Sequence, residues 1–530
     1  VIHALAFDIG TTGVKACLFR IQDTVTKLDS ETSTYELHIL PGGGAEQDPN
    51  DWWAAIVELT RLLRRRHPEA MGDLSGITFC AQMQAMVMVD RDGVPVHNAF
   101  SYMDQRASAE MKKQVGRGPR IAGVNAVTAL RTLRRTGAVA ASVKDPVWKY
   151  HWLRQHCPEE FQRGYKWLDV KEAVIARMTG KFIMSQDSAF ATLLYDIRAD
   201  RPRFDELTMK LLGVEPRHMP RIINSSDVVG GLLAKPAAEL GLPVGTPVYA
   251  GGGDASLIGV GAGATALGDT HVYMGTSGWV STVTDKQTVD IASMIAAIVG
   301  ADPQRYNYFA ELETAGKCLE WVRDHLALDE INVFLEKSDV TESEESIHSS
   351  LYDYLSEVIG RAEPGAGGVL FAPWLHGNRS PFEDPLARAL FLNISLDTGK
   401  TELLRAVVEG VCFHMRWFLE TQEKRVSTSS RLRFVGGGAL SDVTSQILAD
   451  VTQRPVDVVD HPQDVGAVGA ALLVAVGEGM ISGVDQAKDL VKVAASFEPN
   501  RANKSVYDRQ FTAFKGLHKA NKKLFQALNG

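Results

Sequence analysis

The chain opens with a nearly unbroken apolar run from Ala4 to Ile9. It stops at Gly10-Thr11-Thr12-Gly13 and resumes from Val14 to Phe19, with Lys15 as its one charge. Two apolar stretches about a Gly/Thr turn predict a hairpin. The pattern returns at Val272 to Met274, Gly275-Thr276-Ser277-Gly278, then Trp279-Val280. Gly275 lies 265 residues after Gly10, half of the 530-residue chain. A second pair of glycine runs, Gly251 to Gly253 and Gly436 to Gly438, recurs in the two halves. So long an offset excludes a solenoid and points to a duplicated domain, each copy carrying one hairpin.

Between these landmarks the apolar period is helical. Asp48 predicts the cap of a helix that runs through Trp52, Ile56, Leu59 and Leu63 to Arg66. Further helices are predicted over Pro146 to His156, Thr401 to Glu420, and Ser441 to Gln453 directly after the Gly436 run. The tail from Tyr507 to Leu528 is predicted to place Phe511, Phe514, Leu517, Ala520 and Leu524 on one helical face. The Gly/Pro-rich stretch Gly241 to Gly253 marks a domain boundary, giving domains 1–250 and 251–530. The polar, acidic run Glu336 to Ser350 reads as a surface loop.

Length agrees, since one core stops growing at roughly 250–300 residues. Apolar residues make up 45% and charged residues 23%, as in an ordinary globular protein. A net charge of −8 argues against a protein built to hold nucleic acid. The five cysteines have no paired spacing, so neither zinc nor a disulfide framework is indicated. The opening Val1 to Phe7 lacks a basic signal-peptide region, and the best apolar run, Ile291 to Gly300, is half of the ~20 residues a membrane span needs. The expectation is a cytoplasmic protein without nucleic-acid or membrane partners.

The familiar nucleotide motifs do not fit. Gly399-Lys400-Thr401 lacks the earlier glycine of a P-loop, and Gly259-x-Gly261 is followed by a turn and strand rather than a helix. The Asp8 to Gly13 loop offers another route. Its glycines admit a phosphate to the backbone amides, Thr11 and Thr12 add hydroxyl donors, and Lys15 adds a positive charge. Asp8 at the strand end suits a hydrated magnesium ion. The same residues also suit a plain structural hairpin. Asp254 follows three glycines near the seam of the two halves. A carboxylate of ordinary pKa, about 3.9, would accept the proton of an attacking hydroxyl; equally, it would cap the next helix. Phosphoryl transfer asks for positioning, charge compensation and such a base.

These landmarks resemble the FGGY family of carbohydrate kinases, relatives of actin, hexokinase and heat-shock ATPases. The resemblance runs nearly end to end. It is carried by Phe7 to Lys15, Gln47-Asp48-Pro49 with Trp52-Trp53, Pro146 to Leu153, Gly251 to Asp254, Gly275 to Gly278 and Gly316 with Trp321 to Asp324. It continues through Phe371 to Pro381, Asp384 to Arg388, and Gly436 to Asp442 with Ala449 to Val451. The resemblance implies an α/β fold of two actin-like (ribonuclease H-like) domains. Each would hold a mixed five-stranded sheet with flanking helices, and the active site would lie in the interdomain cleft, which closes on substrate. It implies ATP and Mg2+, a small sugar as substrate, and a homodimer. It also implies residue roles: Asp254 as base, Asp8 by the metal, and Thr11, Thr12, Lys15, Gly275 and Thr276 on phosphates. Gly316, Gly437, Gly438 and Asp442 would flank the nucleotide.

In xylulokinases the substrate strand reads Gln-Met-His-Gly; here it is Gln82-Met83-Gln84-Ala85. By resemblance Met83, Gln84, Asp104 and Asp254 would contact the sugar. An amide at Gln84 still hydrogen-bonds hydroxyls, while Asp104 has Arg106 as an alternative partner. The expected reaction is phosphorylation of D-xylulose to D-xylulose 5-phosphate or of a related ketopentose. The alternatives are a kinase for ribulose, gluconate, glycerol or erythritol, and a non-enzymic sugar-responsive regulator.

Overall fold

The computed structural model describes residues 1–530 except 115–118, 122–123, 199, 201, 327–352 and 354–355. The run Glu336 to Ser350 therefore lies outside the described residues. The chain divides into two compact units. Unit 1 comprises Val1–Thr265, Ile298–Tyr306 and Gly466–Val491; unit 2 comprises Ala266–Ala297, Asn307–Val465 and Lys492–Gly530.

Unit 1 is built on strand Ile2–Ile9. It pairs antiparallel with Gly13–Ile21 through the Gly10 to Gly13 turn, and parallel with Gly76–Ala81. Its unbroken apolar run follows from burial on both faces. Leu5, Phe7 and Ile9 join Val14 and Trp52 in one core, while Ile2, Ala4 and Ala6 join Phe19, Leu257 and Leu472 in another. Helix Pro49–Arg66 covers the first face, and residues 466–477 of the very apolar helix Val465–Gly477 cover the second. The sheet runs Val228–Gly231, Pro247–Tyr249, Gly76–Ala81, Ile2–Ile9, Gly13–Ile21, Val25–Thr34. Val25–Thr34 is charged and half-exposed, as suits an edge strand.

The second sheet repeats this wiring. Thr270–Met274 forms the hairpin with Gly278–Thr284 and pairs parallel with Leu432–Val435, which pairs parallel with Val456–Val459. In both sheets an antiparallel strand closes the far side, Val228–Gly231 in one and Val493–Phe497 in the other. The five strands expected lie at the heart of each sheet. Added strands widen the sheets to seven and eight.

Asp48 accepts the Asn50 N–H at 2.8 Å and caps helix Pro49–Arg66, as its position predicts. Helix Pro146–His156 also matches, and Lys400–Gln422 runs slightly beyond its predicted ends. Helix Asp442–Thr452, capped by Ser441, matches the helix predicted over Ser441 to Gln453, with a short 3-10 turn, Gly437–Leu440, between it and Gly436. In the terminal helix Lys504–Asn529, Phe511, Phe514 and Leu517 are buried, but Ala520 and Leu524 face solvent and Phe525 is buried instead. Steps of three drift round a helix of 3.6 residues per turn, so nine residues after Phe511 the face has turned away. Among the described residues no helix is long and apolar enough to cross a membrane.

The core of unit 2 contains a neutral histidine. His414 is fully buried, its Nε2 lies 2.8 Å from the Ser380 carbonyl and the Trp374 Nε1–H points to its Nδ1 at 3.4 Å. Only the tautomer protonated at Nε2 satisfies both. Burial pushes its pKa down to about 4, opposed by the Ser380 carbonyl. The unfolded chain therefore binds more protons between about pH 6.5 and pH 4, and stability falls as pH drops through that window. His414 alone should remove about 2 kcal/mol by pH 5. Denaturant unfolding at pH 7 and pH 5 should show a smaller loss in His414→Gln than in the parent; equal losses would assign the effect elsewhere.

Candidate functional site

In unit 1 the Gly10 to Gly13 turn is held from three sides. The Tyr35 hydroxyl donates to the carbonyls of Gly10 (2.5 Å) and Gly13 (3.0 Å). Gln82 Nε2 donates to the Gly10 carbonyl and to Gln47 Oε1, and Gln47 Nε2 donates to the Thr11 carbonyl at 2.7 Å. These side-chain bonds consume carbonyls rather than amides, although the Gly10 amide itself donates to the Gly13 carbonyl at 2.9 Å. Thr11 is half-buried and Thr12 is exposed. Asp8 and Lys15 lie directly opposite in the antiparallel register, hence on one face of the sheet.

Asp8 is also the register partner of Cys80 on the adjacent parallel strand. Burial, then the Asp8, Asp254 and Asp187 carboxyl groups, push the Cys80 thiol far up, so it stays a neutral thiol bonded to Asp8. Asp8, Asp254 and Asp187 thus all act electrostatically on one buried thiol. Asp254 is the first residue of helix Asp254–Gly261 and accepts the Ala255 N–H at 2.7 Å. It is half-buried. Just before it, a Cβ on Gly253 would fall 2.1 Å from Met83 Sδ, so only glycine lets Met83 pack against this turn.

Gln84 follows in the left-handed region at φ 64°. Both its backbone groups are clamped by buried charges: its N–H donates to Asp169 Oδ2 (3.0 Å) and its carbonyl accepts from Lys149 Nζ (2.8 Å). Burial lowers the Lys149 pKa to about 8, opposed by Asp104, Asp169 and Asp145. Burial and Glu172 raise that of Asp169 to about 7. Asp104, expected on the sugar with Arg106 as the alternative, is paired with Arg106. It is fully buried, and its Oδ2 accepts from Arg106 Nη2 (2.6 Å), Arg106 Nε (2.8 Å) and the Ala45 N–H (2.8 Å). It anchors Arg106, which stacks over Phe100 and Trp152. Asp187, Asp169 and the roles of Gln47 and Tyr35 were missed, because nothing local distinguishes them.

In unit 2 the structure gathers Gly275, Thr276, Gly316, Gly437 and Gly438 around one cavity of about 390 Å3. The Gly316 N–H donates to the Gly275 carbonyl at 2.7 Å, and a Cβ on Gly316 would meet that oxygen at 2.2 Å. Helix Gly316–His325 is thereby locked onto the loop. Leu319, Val322, Ile359 and Leu440 give the cavity an apolar wall, while Glu320, Ser441 and Thr444 supply polar groups. Such a mixed cavity suits a flat heterocycle with a polar edge. Asp442 does not line it; it is exposed on the next helix, one residue beyond Ser441.

Among the described residues no group of three or more His, Cys, Asp or Glu side chains is placed to hold a metal ion. A single carboxyl group such as Asp8 fits a hydrated ion that arrives with phosphates, as Mg2+ commonly does.

Residues 3–261 match the N-terminal-domain model, and residues 271–478 the C-terminal-domain model, of the FGGY family of carbohydrate kinases. A gluconokinase of Bacillus subtilis (strain 168) is 26% identical over 492 residues, 92% of this chain and 90% of its own. A xylulose kinase of the same organism is 26% identical over 530 residues, 99% of this chain and 98% of its own. The crystal structure of ligand-bound xylulose kinase from Lactobacillus acidophilus superposes with a TM-score of 0.84 at 22% identity, covering 100% of both chains.

Proposed function

The chain belongs to the FGGY family of carbohydrate kinases, and on that premise we propose that it phosphorylates a small ketose, D-xylulose to D-xylulose 5-phosphate first among them, with ATP as donor. The observation that supports this most is the pairing of Asp8 with Lys15 across the two strands of a braced Gly/Thr turn, with Asp8, Asp254 and Asp187 all acting electrostatically on the buried Cys80 thiol. In this reading Asp254 accepts the proton of the attacking hydroxyl. Met83 and Gln84 orient the sugar, and Thr11, Thr12 and Lys15 donate to the phosphate being transferred. Gly275, Thr276, Gly316, Gly437 and Gly438 hold the nucleotide, with Asp442 at its margin. Asp8 would hold Mg2+ through water, and that ion supplies charge compensation on the phosphates. An ADP-release assay over pentoses, hexoses, ketoses, polyols and aldonates, with product mass, tests the reading. The expected result is ADP release driven by a ketopentose and a product one phosphate heavier. Sugar-independent hydrolysis without phosphorylated product would overturn it.

The gluconokinase relative favours an aldonate as the second acceptor. Gln84, a neutral amide, matches hydroxyls better than a carboxylate. Preference for gluconate in the same panel would reverse the order. Lys15→Ala should raise the KM for ATP about tenfold, the size of one charge-assisted hydrogen bond, and leave the KM for sugar within about twofold. A change confined to the sugar would remove Lys15 from the phosphate role.

A further inference from the structure

We propose that Asp187 is the positioning residue for Asp254, and that its carboxyl group sets the turn from which that base is presented. The inference rests on the reading of Asp254 as the base. Asp187 is 0% exposed and is drawn from a distant part of the sequence, in the short helix Gln186–Ala191. Among the described residues, both of its oxygens accept hydrogen bonds. Oδ2 accepts the Gly253 N–H at 2.7 Å and the Ser256 hydroxyl; Oδ1 accepts the Ser188 N–H at 2.9 Å and the Ser185 hydroxyl. Ser185 in turn accepts from Lys171 Nζ at 2.7 Å.

Gly253 is the N-cap of helix Asp254–Gly261 and Ser256 lies on its first turn. Gly252 and Gly253 have no side chains with which to fix that approach. One buried oxygen therefore ties both sides of Asp254, at the residue before it and two residues after it. The remaining oxygen is anchored to strand Ile183–Ser185 and its helix. A base must sit within hydrogen-bond reach of the proton it takes, and a misplacement of about 1 Å costs up to ~10²-fold. The carboxyl group that sets this turn thereby sets the reach of Asp254.

Asp187→Asn keeps the shape but turns one acceptor into a donor. Whichever way the amide lies, a donor then faces a donor. The expected result is a kcat lower by about 10–100-fold, with both KM values within about threefold and the folded state retained. Ser256→Ala, which removes one donor and leaves Asp187 in place, should lower kcat by a smaller factor in the same pattern. In the double variant Asp187→Asn with Asp254→Asn, turnover should equal that of Asp254→Asn alone, because a residue that acts through the base has nothing left to act on. Should Asp187→Asn fail to fold, the Ser256→Ala split between kcat and KM decides. Normal turnover in Asp187→Asn, or a full additional loss in the double variant, overturns the proposal while Asp254 keeps its role. Normal turnover in Asp254→Asn overturns both readings.

Discussion

Asp254→Asn should lower kcat by roughly 10²–10⁴-fold, the span of a lost general base, while leaving the KM values for sugar and ATP within about threefold. The substitution is suited to the question because asparagine keeps an acceptor oxygen. The Ala255 N–H, now 2.7 Å from Asp254 Oδ1, would still be satisfied, so helix Asp254–Gly261 would still start at the same residue. What is lost is the capacity to take a proton. Cys80, whose thiol is kept neutral by burial and by the Asp8, Asp254 and Asp187 carboxyl groups, is no substitute base. Steady-state kinetics with product mass, together with a melting curve, would check the result. A turnover near that of the parent would remove Asp254 from the reaction.

The first hairpin was legible because both faces of Ile2–Ile9 are buried, which forces a nearly unbroken apolar run that ends at the glycines. The glycines around the unit 2 cavity were legible for a related reason. Where backbone meets backbone, as Gly316 meets the Gly275 carbonyl, no other residue fits. The residues that hold the site were not legible. Asp187 is 66 positions from Gly253, Asp169 is 85 from Gln84 and Lys149 is 65 from Gln84. Contacts at such separations leave no local period or spacing. Asp104 was open for the opposite reason: an acid two residues before an arginine reads the same whether it faces a sugar or its neighbour. Nor did any sequence feature assign residues 466–491 to unit 1, since an apolar helix is equally suited to either core.

Lys149→Met should raise the KM for sugar by roughly 30–100-fold, equivalent to about 2–3 kcal/mol, while moving the KM for ATP by less than about twofold. The reason begins with the backbone. A non-glycine residue in the left-handed region costs about 1–2 kcal/mol, so Gln84 at φ 64° must be held there. Two buried groups hold it, Asp169 on its N–H and Lys149 on its carbonyl. Methionine matches the lysine stem up to Cε but lacks the terminal ammonium and offers no donor, which leaves the Gln84 carbonyl unpaired at a cost of about 1–3 kcal/mol. It also removes one of the two lysines, with Lys171 the other, that oppose the upward shift of Asp169, so that carboxyl group takes up a proton more readily. Both changes loosen one residue, and only that residue's ligand should notice. Lys149→Arg should not restore binding, because a forked guanidinium does not fit a fully buried site shaped for an ammonium. A parallel rise in the KM for ATP would show a general loss of structure. An unchanged KM for sugar would mean that Gln84, clamped as it is, does not touch the substrate.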